Sequence, residues 1–172
     1  MPRTKPDAPP SLLTIGYEAA RFDQVRDALG EAGTRLLIDV RAVASSRRPG
    51  FSKTLLANGL AEAGIDYLHL RPLGTPKDGR DAVRRGDVGT MQRIFRAHME
   101  GDQSQAALAE ARALAVETRA CLLCFERDPV HCHRTLVAEM IIGETGQRVR
   151  HLHATLDLPE PKPPRSRKIS PR

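Results

Sequence analysis

Residues 124–134, written CFERDPVHCHR, bring together side chains that take part in chemistry. They include two thiols, two imidazoles, a carboxylate and a guanidinium, in Cys124, Cys132, His131, His133, Glu126 and Arg134. A thiol beside a base suits nucleophilic catalysis. We expect Cys132 or Cys124 to be the nucleophile, and His133 or Glu126 to handle the proton.

Cys132 is the favoured thiol because it falls near the start of an expected helix. The helix dipole and the neighbouring Arg134 predict a lowered pKa for Cys132. Cys121 and Cys124 form a CxxC pair, but they lie three residues apart on an expected strand and so face opposite sides. Cys121 is therefore expected to be a buried core residue.

Two other interpretations of residues 124–134 remain open. Cys124, Cys132 and His131 are suitable metal ligands, although side chains adjacent in sequence seldom converge on one ion. In a purely structural role, Arg134 and His133 would instead hydrogen-bond loop carbonyls. No specific cofactor is indicated.

Residues 39–53 form a second chemical segment, rich in cations and hydroxyls. The candidate ligand-binding side chains are Asp39, Arg41, Ser46, Arg47, Arg48 and Lys53. Arginine binds phosphate or carboxylate through two parallel hydrogen bonds, so this segment predicts an anion site. The alternatives are an ion pair between Asp39 and Arg41, which project to the same side of a strand end, and a solvated basic loop.

Two further segments carry weaker signals. Residues 16–18 are GYE, in which Glu18 is a candidate base and Tyr17 a candidate ligand contact. The second segment, residues 71–80, contains two prolines and two glycines, a composition typical of turns. The stretch 71–89 suits either a lid over a site or a surface loop.

These segments lie between alternating strand and helix patterns. Apolar runs predict strands at 11–16, 35–40, 65–70, 119–125 and 148–153, and periodic spacing predicts helices at 21–31, 53–63, 90–100, 103–117 and 132–143. We therefore expect one three-layer α/β domain over 11–158, with a mostly parallel sheet of about five strands and helices on both faces. Sites in such sheets form in loops after the strands, which here are 16–18, 39–53, 70–89 and 124–134.

The net charge of +6 lies almost entirely at the two ends of the chain. Residues 1–10 and 159–172 are rich in proline and charge, which predicts disordered tails, whereas 11–160 carry no net charge. Nucleic-acid binding through the basic C-terminal tail is an alternative function. The lack of a long apolar run or secretion signal and the odd cysteine count predict a cytoplasmic protein with no membrane contact.

Five blocks of sequence together resemble the domain-of-unknown-function 488 family. They are TIGYE, LIDVR, SRRPGFSK, AGIDYLHLRPLGTPK and LLCFERDPVHCHRTLVAEMI, in the family's order, covering nearly all of 12–142. The resemblance implies a compact α/β fold with a pocket drawn from these blocks, and it implies no reaction. The leading hypothesis is an enzyme or binding domain for a small anionic ligand, with nucleic-acid binding and metal binding as alternatives.

Overall fold

The protein is built on a sheet of five strands that all run parallel. The computed structural model describes residues 9–157, and its strands are β1 (Leu12–Gly16), β2 (Leu36–Asp39), β3 (Asp66–His69), β4 (Ala120–Cys124) and β5 (Val149–Leu152). Their order across the sheet is β3-β2-β4-β1-β5. In register, Cys121 of β4 lies between Leu13 of β1 and Leu37 of β2. The predicted α/β sheet is confirmed.

Helices connect the strands. They are α1 (Phe22–Glu31), α2 (Lys53–Glu62), α3 (Lys77–Arg84), α4 (Val88–Met99), α5 (Asp102–Glu117) and α6 (His133–Thr145), with short 3-10 turns at Arg71–Leu73 and Pro129–His131. All but α3 match predicted segments. Among these helices, none has the length and hydropathy needed to cross a bilayer. The two tails, and the nucleic-acid contact predicted for the second, fall almost entirely outside the described residues.

Each face of the sheet packs against its own set of helices, because successive strand side chains point to opposite faces. One face joins β1, β2 and β4 to α1 and α2 through Leu13, Leu37, Leu123, Val25, Leu29, Leu56 and Leu60. The other joins the same strands to α4, α5 and α6 through Leu12, Ile38, Leu122, Phe95, Leu108 and Val137. Cys121 belongs to the first core and Cys124 to the second. The predicted three layers are confirmed, as is the burial of Cys121.

Helix α3 lies within residues 71–89, where the sequence predicted only a polar stretch. Its buried residues are Gly79 and Ala82, with Val83 packed beside them, so its apolar stripe is short and built from small side chains. The ion pair between Lys77 and Asp81, at 2.7 Å and four residues apart, supports the helix from its exposed side. The result is an ordered wall beside the strand ends.

Candidate functional site

A cavity of about 400 Å³ opens at the carboxyl edge of the sheet. Connections from β1 and β2 cross one face and that from β4 crosses the other, so the loops diverge here and leave a crevice. Its lining includes Tyr17, Glu18, Arg41, Thr75, Arg80, Arg84, Cys124, Glu126, His131 and His133. Each of the four loops selected from the sequence contributes to this lining.

Asp39 and Arg41 form a buried ion pair, with 2.6 Å between Asp39 Oδ2 and Arg41 Nη2. Arg41 Nη1 donates to the Tyr17 hydroxyl at 3.0 Å and to the Phe51 carbonyl at 2.9 Å. Burial opposes the charge of Arg41, but the hydrogen bonds and charge of Asp39 raise its pKa overall. Most donors of Arg41 are thus used within the protein, although the side chain touches the pocket.

The basic loop after Arg41 folds away from the pocket. Arg48 Nη2 donates to the Ala20 carbonyl at 2.6 Å, and the Ser46 hydroxyl accepts from the Arg48 amide at 3.1 Å. Arg47 and Lys53 are exposed. None of the four predicted anion contacts, Ser46, Arg47, Arg48 and Lys53, lines the cavity. The structure therefore does not bring them together with the thiols.

Arg134 is fully buried and holds the loop after β4 in place. Its guanidinium donates to the carbonyl oxygens of Glu126 and Arg127 and to the Thr14 hydroxyl. The same loop passes so close to Gly16 that a Cβ there would lie 1.8 Å from the Glu126 carbonyl oxygen. These contacts match the alternative in which Arg134 has a structural role. Arg134 lies behind the wall of the pocket.

Cys124 and His133 lie side by side in the pocket wall. Cys124 Sγ is 3.6 Å from His133 Nδ1 and 3.3 Å from Glu126 Oε2. His133 Nε2 lies 2.8 Å from the Val40 carbonyl oxygen, which can only accept a hydrogen bond. The ring proton therefore sits on Nε2, and Nδ1 presents its lone pair to the thiol.

Cys132 is buried, with 2% of its surface exposed, and is not part of the pocket lining. Burial raises the pKa of this thiol well above its usual value, and the neighbouring Cys124 adds to the rise. The guanidinium of Arg134 is occupied by loop carbonyls. The expectation of a lowered pKa at Cys132 is therefore wrong, because desolvation outweighs the helix start.

Cys132 nevertheless belongs to a cluster with Cys124 and His133. The ligand atoms of these three residues all lie within 4.8 Å of one another. Cys132 is extended, with φ −122° and ψ 138°, and the helix begins at His133, so the chain bends between the two. This bend lets sequence neighbours converge. His131, the imidazole predicted as a candidate metal ligand, is exposed and lies 3.7 Å from the Asp128 carboxylate.

Tyr17 and Glu18 lie on the wall formed by the loop after β1. The Tyr17 ring stacks on Phe51 at 4.3 Å between centroids, and its hydroxyl meets Arg41. Glu18 is exposed and accepts a hydrogen bond from the Arg127 amide at 3.0 Å. Both predicted residues reach the cavity, and Glu18 ties the β1 loop to the β4 loop.

Sequence reasoning predicted residues 71–89 as a lid or a surface loop, and it did not predict helix α3 there. Thr75, Arg80 and Arg84 from this segment line the cavity. Arg80 Nη1 donates to the Thr75 carbonyl at 2.8 Å, and Arg84 pairs with Asp81 at 2.9 Å. The arginines are evident in the sequence. The helix that positions them at the cavity was not predicted from it.

The chain was compared with protein families, with curated proteins and with solved structures. Neither the curated proteins nor the solved structures gave a match. One family model matches residues 21–141, more than half of the chain, and takes in β2, β3, β4 and most of α6. The chain belongs to the family described as Domain of unknown function DUF488.

Proposed function

We propose that the protein is an enzyme or binding domain for a small anionic ligand, of the phosphate, carboxylate or nucleotide class. The observation that carries this proposal is the Cys124–His133 contact, which opens on a cavity that is also lined by arginines. The cavity volume of about 400 Å³ lies in the range of small-molecule sites. A ligand held there would meet a sulfur and an imidazole nitrogen, both electron-pair donors.

The cations on α3 support an anionic ligand. Arg84 is 73% exposed and pairs with Asp81. Because this ion pair is exposed, Arg84 can leave it to bind a ligand at little cost in free energy. Arg80 is half-buried and keeps donors beyond the single bond to Thr75. Arg41 contributes less attraction because Asp39 neutralises it.

The proposal is tested by calorimetric titration with inorganic phosphate, a nucleoside monophosphate and a dicarboxylate. At least one should bind the full chain, and changing both Arg80→Gln and Arg84→Gln should weaken binding about tenfold or more. Arg96→Gln, an exposed change on α4 outside the pocket, is the control and should leave binding unchanged. Absence of binding by the whole panel, or equal binding by the double variant, would refute the proposal.

A further inference from the structure

We propose that Cys124, Cys132 and His133 together bind one divalent metal ion of the zinc class, whose fourth coordination position opens into the pocket. The three residues supply two sulfur ligands and one nitrogen ligand, a set suited to tetrahedral zinc. The idea that the anionic ligand occupies the fourth position rests on the proposed function. The metal site itself stands on its own geometry.

The spacing of the donor atoms fits one ion. With Zn–S of about 2.3 Å and Zn–N of about 2.05 Å at tetrahedral angles, sulfur and nitrogen ligands lie about 3.6 Å apart. Cys124 Sγ and His133 Nδ1 are separated by 3.6 Å. Two thiolates on such an ion lie about 3.8 Å apart. All pairs within the cluster fall inside 4.8 Å, so small side-chain rotations suffice to close it.

The imidazole of His133 is already prepared to be a ligand. Its Nε2 is bonded to the Val40 carbonyl, and its ring packs 5.2 Å from the ring of Phe95. Metal-binding histidines usually donate their second ring N–H to a carbonyl or carboxylate in this way, which fixes the tautomer and the ring orientation. The lone pair on Nδ1 therefore faces the two sulfurs.

Charge balance favours a divalent ion between two buried thiols and one imidazole. Cys124 and Cys132 are 5% and 2% exposed, so a free thiolate at either place would be costly. Two thiolates offset a divalent cation, which leaves the site without net charge. The start of α6, where both Cys132 and His133 lie, favours the negative thiolate further.

The direction of the open position follows from which ligands touch the cavity. Cys124 and His133 line it, and Cys132 lies behind them. Glu126 Oε2, now 3.3 Å from Cys124 Sγ, also lines the cavity. When the metal displaces the Cys124 proton to solvent, Glu126 is left to accept a hydrogen bond from a water or protonated ligand at the open position.

The metal site is tested on the full chain, first stripped of metal and then titrated with Zn²⁺ and with Co²⁺. We expect about one ion per chain, with the visible band of tetrahedral Co²⁺ and a near-ultraviolet thiolate-to-cobalt band. Cys124→Ser, Cys132→Ser and His133→Gln should each weaken zinc binding by more than about 100-fold, beyond the loss typical of an outer-shell partner. The matched controls, Cys121→Ala and His131→Gln, should bind normally.

If a variant at a buried residue fails to fold, measuring thiol reactivity on the unaltered protein still tests the metal site. All three thiols are buried and react only when the chain opens, so zinc should slow the reaction of Cys124 and Cys132 with a thiol reagent far more than that of Cys121. Failure to bind about one ion, or a cobalt spectrum without thiolate bands, would overturn the metal site.

The two proposals fail separately. If the metal-free protein binds the anion panel through Arg80 and Arg84 but takes up no zinc, the metal site is wrong and the ligand pocket stands. If Co²⁺ binds with thiolate bands while no member of the panel alters the spectrum or gives heat, the metal site stands and the anionic ligand is wrong.

Discussion

At the scale of single residues, Asp39 supplies the buried charge that balances Arg41. Asp39→Asn keeps the shape but leaves the Arg41 charge unpaired, with side-chain exposures of 0% and 6%. Breaking a buried pair in this way destabilises a protein by about 3–5 kcal/mol. Urea denaturation should show this loss, whereas Asp81→Asn, in an exposed pair, should change the stability far less. Equal effects of the two variants would contradict the assignment.

Tyr67 is expected to make the free energy of unfolding depend on pH in the alkaline range. It donates to Asp39 Oδ2 at 2.6 Å, and burial together with Asp39 raises the Tyr67 pKa. The unfolded phenol loses its proton near pH 10 while the folded phenol keeps it, so the free energy of unfolding falls as pH rises through about 10. Tyr67→Phe should flatten this fall in urea denaturations between about pH 8 and 11. Unchanged slopes would rule out Tyr67 as the cause.

At the scale of elements, the sequence predicted every strand and five of the six described helices. Those elements are recognisable because they bury continuous or periodic apolar side chains in one of the two cores. Helix α3 was missed because only Gly79 and Ala82 of its residues are buried. The four-residue spacing of Lys77 and Asp81 is a helix signal within this segment that the sequence prediction did not use.

Gly79 is the position where α3 approaches its neighbours most closely. A Cβ there would lie 2.5 Å from Thr75 Cγ2 and 3.4 Å from Ile94 Cγ2. Gly79→Val should therefore push α3 outward, so that hydrogen exchange of α3 amides becomes faster while β1 and β4 amides keep their protection. Gly143→Val is a helical control with nothing within 4 Å of its Cβ position, and its effect on α3 should be absent.

For the molecule as a whole, two cores share one sheet and should unfold together. Phe95→Ala removes a side chain from the α4 face and should cost about 3–5 kcal/mol, and Leu60→Ala on the α2 face about 2–5 kcal/mol. Because both cores pack on the same strands, far-ultraviolet circular dichroism and tyrosine fluorescence should follow a single transition in each variant. Separate transitions for the two probes would show that the faces are independent.

The whole-molecule geometry also explains which part of the site the sequence could indicate. The rule that sites form after parallel strands selected all four loops that line the cavity. The rule could not decide whether Arg41 pairs with Asp39, and it could not tell that residues 46–53 turn away or that Cys132 and His133 both meet Cys124. Those outcomes depend on burial and on the bend at Cys132, which are set by contacts distant in sequence.

The interior position of β1, between β4 and β5, has a consequence for synthesis on the ribosome. Leu13 and Ile15 pair with Cys121, Leu123 and Leu152, so the strand made first has partners only in the last part of the described chain. Until β4 emerges, both edges of β1 remain open, the situation in which a nascent chain invites chaperones or aggregation. Ribosome-stalled chains ending before residue 120 should therefore be digested rapidly by protease, and chains extending past β5 with the exit tunnel cleared should resist it.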